Sequence, residues 1–225
     1  MDFTFGIITD GNYDKNINTI IDSIESQNIP NYEIIIVGNS KIIRNNTKVI
    51  PFDENIKPKW ITRKKNIITE NAKYENVVYL HDYIYLLDSW YDGYEKYGND
   101  FQVCMNKILN LDNSRFRDWT LCFYDAEPIL HSMRLLIPYD MTHLSKIMYI
   151  SGSYWVAKKD FMKKYPLNEN LVWGQGEDIE WSKIVRNKID FKMNIYSSVK
   201  LLKQKDAVFS LASEDDIKKL QNLSL

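Results

Sequence analysis

Two short segments concentrate the residue types that can do chemistry. Val77-Val78-Tyr79-Leu80-His81-Asp82-Tyr83 is an apolar run that ends abruptly on an acid, the pattern of a buried strand delivering a carboxylate to the edge of a sheet. Trp173-Gly174-Gln175-Gly176-Glu177-Asp178-Ile179-Glu180-Trp181 packs two glycines, three acids and two tryptophans into nine positions. One carboxylate can hold a divalent cation and another can move a proton. Aromatic walls suit a sugar-sized ligand. The combination points to cation-assisted chemistry on a phosphorylated sugar.

A diphosphate gathers negative charge as its bond to carbon breaks, and Mg²⁺ or Mn²⁺ held by one or two carboxylates commonly neutralises it. Asp82 suits such a ligand, with His81 as a direct ligand or a neighbour to one. The competing reading has Asp82 capping a turn and His81 packing in the core. In the second segment, Gly174 and Gly176 permit close backbone approach, and Glu177 and Asp178 open a helix whose dipole favours carboxylates. Capping alone accounts for one acid, not for two glycines preceded by Trp173. An Asp facing a cleft can accept the proton of an attacking hydroxyl. Trp173 can stack on a sugar face, although a single Trp more often belongs to a core.

Those side chains need a scaffold. Phe3 to Thr9 is a β-prone run broken by Asp10-Gly11-Asn12, and Ile17, Ile20, Ile21 and Ile24 recur at helical spacing up to Pro30. Glu33 to Val37 is a second strand closed by Gly38-Asn39-Ser40, Lys48 to Phe52 a third, and Ile61 to Lys73 a helix feeding the strand Val77 to Leu80. This order builds βαβ units, whose parallel strands present ligands at their carboxyl ends. The loops at Thr9-Asp10 and at Asn39 fall where such a crevice holds a nucleotide. Arg63, Lys64 and Lys65 lie at the start of the helix between them, favourable for a diphosphate; a solvated basic face is the commoner explanation of such a run. Downstream, Trp119 to Tyr124 and Met148 to Ala157 read as strands, and Lys159 to Lys164, Asp178 to Arg186 and Glu214 to Leu223 as helices. One domain over residues 1–225 is expected, with a nucleotide half (1–100) and an acceptor half (101–225).

Composition fits a soluble globule: 225 residues, 44% hydrophobic, 13% aromatic. With 29 basic against 30 acidic residues, nothing suggests a nucleic-acid partner. Cys104 and Cys122 lack metal-ligand spacing and read as two thiols in a reducing compartment. No apolar run approaches the ~20 residues of a membrane span, and no leader opens the chain, so a soluble cytoplasmic protein is expected.

The ordering of these motifs resembles the GT-A class of nucleotide-sugar glycosyltransferases, close to its family-2-like inverting members. In that class a first strand ends in a Thr-containing turn, similar to Thr9-Asp10; a basic segment, similar to Arg63-Lys64-Lys65-Asn66, precedes a strand ending in a short Asp motif, similar to His81-Asp82-Tyr83. Ser151-Gly152-Ser153 resembles its acceptor-side segment, and Trp173-Gly174-Gln175-Gly176-Glu177-Asp178 matches its Trp-Gly-x-Gly-Glu-Asp motif. The resemblance spans about residues 3 to 190, and its last motif is the specific one. It implies Asp178 as catalytic base with Glu177 beside it, and Asp82 as the ligand of Mn²⁺ or Mg²⁺. Donor contacts are implied at Thr9, Asp10, Asn39, Asp53, Arg63, Lys65, His81 and Asp82, and acceptor contacts at Gly152, Trp173, Gly176 and Glu177. It further implies a UDP-sugar donor, a glycan or glycoprotein acceptor and a hexosyltransferase activity. The short chain is also similar to capsid glycosyltransferase domains of large DNA viruses, which would act in a host cytoplasm.

Departures from the pattern leave room for rivals. The usual Asp-x-Asp is reduced to His81-Asp82-Tyr83, the acid after the second strand is replaced by Gly38-Asn39-Ser40, and no histidine follows His143. Asn39 or Asp53 would then read the base, and Lys203 and Lys205 would clamp the diphosphate. Arg115, Arg117, Asp118 and Trp119 suit a glycan contact or an ordinary surface turn. A sugar-1-phosphate nucleotidyltransferase and a non-catalytic carbohydrate-binding protein are the alternatives.

Overall fold

The structure, a computed structural model, describes residues 1–122, 134–205 and 209–221. Its centre is β1 (Phe3–Ile8), every residue of which is buried. The first half continues with α1 (Asp14–Glu25), β2 (Tyr32–Val37), β3 (Thr47–Ile50), α2 (Ile61–Asn71) and β4 (Asn76–His81). β1 pairs in parallel with both β2 and β4, and β2 in parallel with β3. Burial on both faces explains why β1 and β4 read as continuous apolar runs. Ile17, Ile20, Ile21 and Ile24 form the buried stripe of α1, the spacing expected of one helical face. The inner face of α2 is instead largely polar: Thr62, Lys64, Lys65, Asn66 and Thr69 are all buried.

The chain continues through β5 (Ile84–Leu86), α3 (Trp90–Tyr97), β6 (Val103–Leu109), β7 (Thr120–Cys122), β8 (Arg134–Leu136) and β9 (Met148–Tyr149). It ends with β10 (Tyr154–Lys158), α4 (Lys159–Lys164), α5 (Glu177–Val185), β11 (Lys192–Leu201), β12 (Ser210–Leu211) and α6 (Glu214–Gln221). Eight strands form one sheet in the order β3-β2-β1-β4-β10-β6-β11-β5, and a smaller sheet runs β12-β8-β7-β9. From β1 the chain winds outward to β2 and β3, then α2 returns it to β4 on the other side. The β1/β4 boundary is therefore the topological switch point, where open α/β sheets bind ligands at their carboxyl ends.

The mostly parallel sheet expected from sequence holds for β3-β2-β1-β4. The other half is mixed: β10 is antiparallel to β4 and β6, β11 is parallel to β6, and β5 is antiparallel to β11. The strand expected over Met148–Ala157 is two strands in different sheets, parted by a turn at Ser151–Ser153. Residues 123–124 and 222–223, at the ends of two expected elements, lie outside the described residues. One apolar core spans both halves; in it Phe3 meets Trp90 edge-on at 5.1 Å, and Trp90 Nε1 donates to the Tyr154 hydroxyl at 3.0 Å. Among the described residues no helix is long and apolar enough to cross a membrane.

Gly6 sets how closely α2 sits on β1. A Cβ there would lie 2.3 Å from Ile68 Cγ2. Gly6→Ala is expected to cost about 1–3 kcal/mol through overpacking, read as a lower urea midpoint. An unchanged midpoint would mean the helix can rise off the sheet freely.

Candidate functional site

A cleft of about 1020 Å³ opens at the carboxyl end of β4, lined among others by His81, Tyr83, Arg117, Gly152, Asp178 and Lys205. Its geometry is organised around the backbone of Gly152. The Gly152 carbonyl accepts from Lys65 Nζ at 2.6 Å and lies near the His81 ring. The Gly152 N–H donates to Asp178 Oδ2 at 2.8 Å, while Ile179 N–H donates to Asp178 Oδ1 at 2.9 Å. Ser182 Oγ donates to the Asp178 carbonyl at 2.6 Å and accepts from the Ile150 N–H at 3.1 Å. The 150–153 segment and the start of α5 are thereby stitched together, and the Asp178 carboxylate is aimed into the cleft.

The two glycines of the acidic motif serve its backbone. Gly174 (φ +86°) and Gly176 (φ +73°) occupy the left-handed region, Gly176 as the residue before α5, and a Cβ on Gly174 would meet nothing within 4 Å. Backbone conformation by itself demands glycine there. Trp173 is 55% exposed at the cleft edge, with Lys59 Nζ 5.0 Å from its ring; Trp181 is the core tryptophan, its Nε1 donating to the Tyr165 carbonyl at 2.7 Å.

Lys65 and Glu177 form the buried electrostatic layer beneath Asp178. Burial lowers Lys65 to about 8, opposed by the charges of Glu177 and Asp178, and its ammonium lies 4.5 Å from the Trp155 ring. Glu177 is pushed up, by desolvation first, with Lys65 pulling it down and Asp178 adding to the rise. A carboxyl with a raised pKa in a cleft is a functional candidate.

The expected basic trio is split three ways. Lys65 lies under the Gly152 turn, and Lys64 donates to the Thr9 carbonyl at 2.7 Å and pairs with Glu54. Arg63 points outward to Glu70 at 2.6 Å and Glu169 at 3.1 Å, away from the cleft. Thr9 and Asp10 end β1, beside Asn39; a Cβ on Gly38 would lie 2.2 Å from the Thr9 carbonyl oxygen, so these two loops are in contact. Asp53 is exposed beyond β3 and accepts the Asn55 N–H at 2.9 Å. Of the four residues read as a glycan contact or turn, only Arg117 lines the cleft. Asp118 is fully buried, bonded by Arg115, Tyr139 and the Ile108 and Trp119 N–H groups. Tyr149 and Phe209, which also line the cleft, carried no sequence signal, because each belongs to a short strand or loop of the small sheet.

Asp82 lies at the switch point, where the nearby Thr9 hydroxyl favours its charged form. Burial raises its carboxyl, Asp10 raises it further, and Lys203 and Lys64 pull it down. Among the described residues no three His, Cys, Asp or Glu side chains gather as a metal-binding group. The His81 ring lies near the Gly152 carbonyl. Mg²⁺ and Mn²⁺ prefer oxygen donors; here Asp82 offers one, with the Asp10 carboxylate nearby and the Lys203 and Lys64 ammonium groups acting against a cation.

His81 makes a test of the site's own architecture. Desolvation, then the charges of Lys65 and Lys205, lower it well below the ordinary histidine range, so the ring is neutral at pH 7. Below about 6.5 the unfolded chain takes up the proton first, and stability falls as pH falls. His81→Asn is expected to lose less melting temperature than the wild type between pH 7 and 5. Parallel profiles would show that His81 does not titrate on unfolding.

The sequence matches no protein-family model, and no curated protein is similar to it in sequence. Solved structures are similar in fold. GalNAc-T7, with UDP, GalNAc and Mn²⁺, superposes with a TM-score of 0.67 at 12% identity, covering 98% of this chain and 47% of that one. S. aureus TarS 1-349 in complex with UDP-GlcNAc gives a TM-score of 0.58 at 14% identity, covering 100% of this chain and 68% of that one. The chain therefore spans about half the length of the GalNAc-T7 chain. The fold is the GT-A fold of nucleotide-sugar glycosyltransferases.

Proposed function

We propose that this protein is a glycosyltransferase that moves a sugar from a nucleotide diphosphate to a hydroxyl acceptor with inversion. The observation that carries the reading is Asp178, aimed into the cleft by the Gly152 N–H at the open end of β4. The nucleotide would lie along Thr9, Asp10, Asn39 and Asp53, its diphosphate reaching toward Asp82. The acceptor would lie over Gly152, Trp173 and Gly176. Asp178 takes the acceptor's proton as the oxygen attacks the anomeric carbon from the face opposite the leaving diphosphate. Glu177 and Lys65 hold the field around that carboxylate. A UDP-hexose is the first donor to try, since GalNAc-T7 is seen with UDP and TarS with UDP-GlcNAc; a glycan or glycoprotein is the acceptor class.

Mn²⁺ or Mg²⁺ would find Asp82 here, with Asp10 nearby, and would draw the rest of its shell from diphosphate and water. The reading is tested by a thermal-shift panel of nucleoside diphosphates with and without Mn²⁺, followed by donor hydrolysis. Stabilisation by one nucleotide and release of its diphosphate support it. A folded protein that binds a glycan, but neither binds nor hydrolyses any nucleotide-sugar, would be the carbohydrate-binding alternative, which the single carboxylate favours.

A further inference from the structure

Arg117 and Lys205 line one wall of the cleft, and Lys203 lies against Tyr83 of the same wall. β5 and β11 pair in antiparallel register with Leu201 opposite Ile84, and the Leu202 N–H donates to the Tyr83 carbonyl at 2.8 Å. That register carries the segment after β11 alongside the Asp82-Tyr83 turn. Lys203 Nζ lies 4.4 Å from the Tyr83 ring centroid; Lys205 Nζ lies 3.9 Å from it and donates to the Tyr83 hydroxyl at 2.7 Å. Tyr83 Oη and Ser153 Oγ are 3.2 Å apart; with Lys205 donating to the phenol oxygen, the phenol proton is left for Ser153. The lysine is thus tied to the turn that carries Gly152.

Arg117 reaches the same wall from the turn after β6. Its guanidinium carbon lies 5.2 Å from the Phe209 ring and 5.4 Å from the Phe116 ring, and its buried Nε has no hydrogen-bond partner among the described residues. None of Arg117, Lys203 or Lys205 forms an ion pair with a carboxylate among the described residues. Lys203 and Arg117 both act unfavourably on the Lys205 charge, and Asp82 is the one acid that acts on it favourably. The fold holds these like charges together without an ion-pair partner for any of them among the described residues, an arrangement that suits an anion, while Glu177, Asp178 and Glu180 line the rest of the cleft. A divalent cation placed against Asp82 would add to that repulsion.

We infer that Arg117, Lys203 and Lys205 receive the diphosphate of the donor and neutralise it as it leaves, the role a divalent cation would otherwise fill. This rests on the transferase reading and deepens it. In the step, the acceptor oxygen bonds to the anomeric carbon while the bond from that carbon to the diphosphate oxygen breaks. The electron pair stays on the diphosphate, beside the cations, and the acceptor proton goes to Asp178. Charge-assisted hydrogen bonds of Lys and Arg to phosphate oxygens are the strong kind, and fixed charges in a partly dry cleft need no reorganisation as charge develops.

The test is equilibrium binding of UDP, GDP, the matching monophosphates and inorganic pyrophosphate, in EDTA and in Mn²⁺. It is run on the wild type, Lys203→Met/Lys205→Met, Lys205→Arg and Asp82→Asn, each checked for an intact melting transition. In EDTA the wild type is expected to bind one diphosphate about tenfold or more tighter than its monophosphate, the scale of one charged hydrogen bond. The preference should vanish in the double lysine variant and persist in Lys205→Arg and in Asp82→Asn. Diphosphate binding that requires Mn²⁺, is lost in Asp82→Asn and is untouched by the lysine changes would overturn the inference and leave the transferase reading standing. Pyrophosphate bound in EDTA with no nucleotide bound would keep the anion site and remove the donor reading. No anion bound in EDTA overturns the inference.

Discussion

Asp178→Asn is expected to lower turnover by about 10²–10⁴-fold, the range of a positioned general base, with donor affinity near that of the wild type. The carboxylate meets the geometric requirement because two backbone N–H groups fix it, Gly152 at 2.8 Å and Ile179 at 2.9 Å. A carboxylate has about four acceptor positions, so two remain for an acceptor hydroxyl. Asn has one acceptor oxygen and must turn its NH₂ toward one of those two donors, so a loss of about 1 kcal/mol in stability should accompany the loss of rate. Turnover under saturating donor, with the melting temperature measured in parallel, separates the two effects. Glu177→Gln is the control: its side chain is buried and its charge acts through Lys65 and Asp178, so its rate loss should be smaller. A larger loss in Glu177→Gln than in Asp178→Asn would exchange the two roles.

Gly152→Ala should be nearly as damaging, about 10²-fold in rate, the scale of a catalytic group displaced by ~1 Å. A Cβ on Gly152 would lie 2.9 Å from Asp178 Oδ2 and 3.2 Å from its Cβ and Cγ. The crowded atom is the end of a side chain that can rotate, so the strain is relieved by moving the carboxylate off its aim. The fold should survive, because no backbone is struck among those contacts. The check is a kcat loss with an unchanged nucleotide Kd and a melting temperature within a few degrees of the wild type. Wild-type kcat in Gly152→Ala would show that the Gly152–Asp178 contact does not set the catalytic geometry.

Both predictions turn on a contact between residues 26 positions apart, and that separation divides what was legible from what was not. The apolar runs of β1 and β4, the isoleucine stripe of α1 and the acids opening α5 were legible, since strand and helix periodicity are written in neighbouring residues. So were the loop ends that carry Thr9 and Asp82, because parallel strands buried on both faces must stop where the polar residues begin. The Trp173 to Asp178 motif announced a site by composition alone, and its two glycines also take the positive φ that the turn into α5 requires.

Lys65 could not be placed from sequence. Beside Arg63 and Lys64 it reads as one basic patch, yet successive helix residues point in different directions, so one cation lies under Gly152, one holds Thr9 and one faces solvent. The break in Met148–Ala157 was hidden because Ser151-Gly152-Ser153 turns the chain from one sheet into another, and sheet membership depends on distant partners. Lys203 and Lys205 reach Tyr83 only through the register of β11 on β5. A one-residue slip of β11 there would carry the segment after Leu201 out of step with Tyr83. The sequence by itself determined the elements and the two acidic motifs, because these follow from local side-chain pattern. Tertiary structure alone decided which groups face the cleft, because strand register and turn packing are set by contacts between segments far apart in the chain.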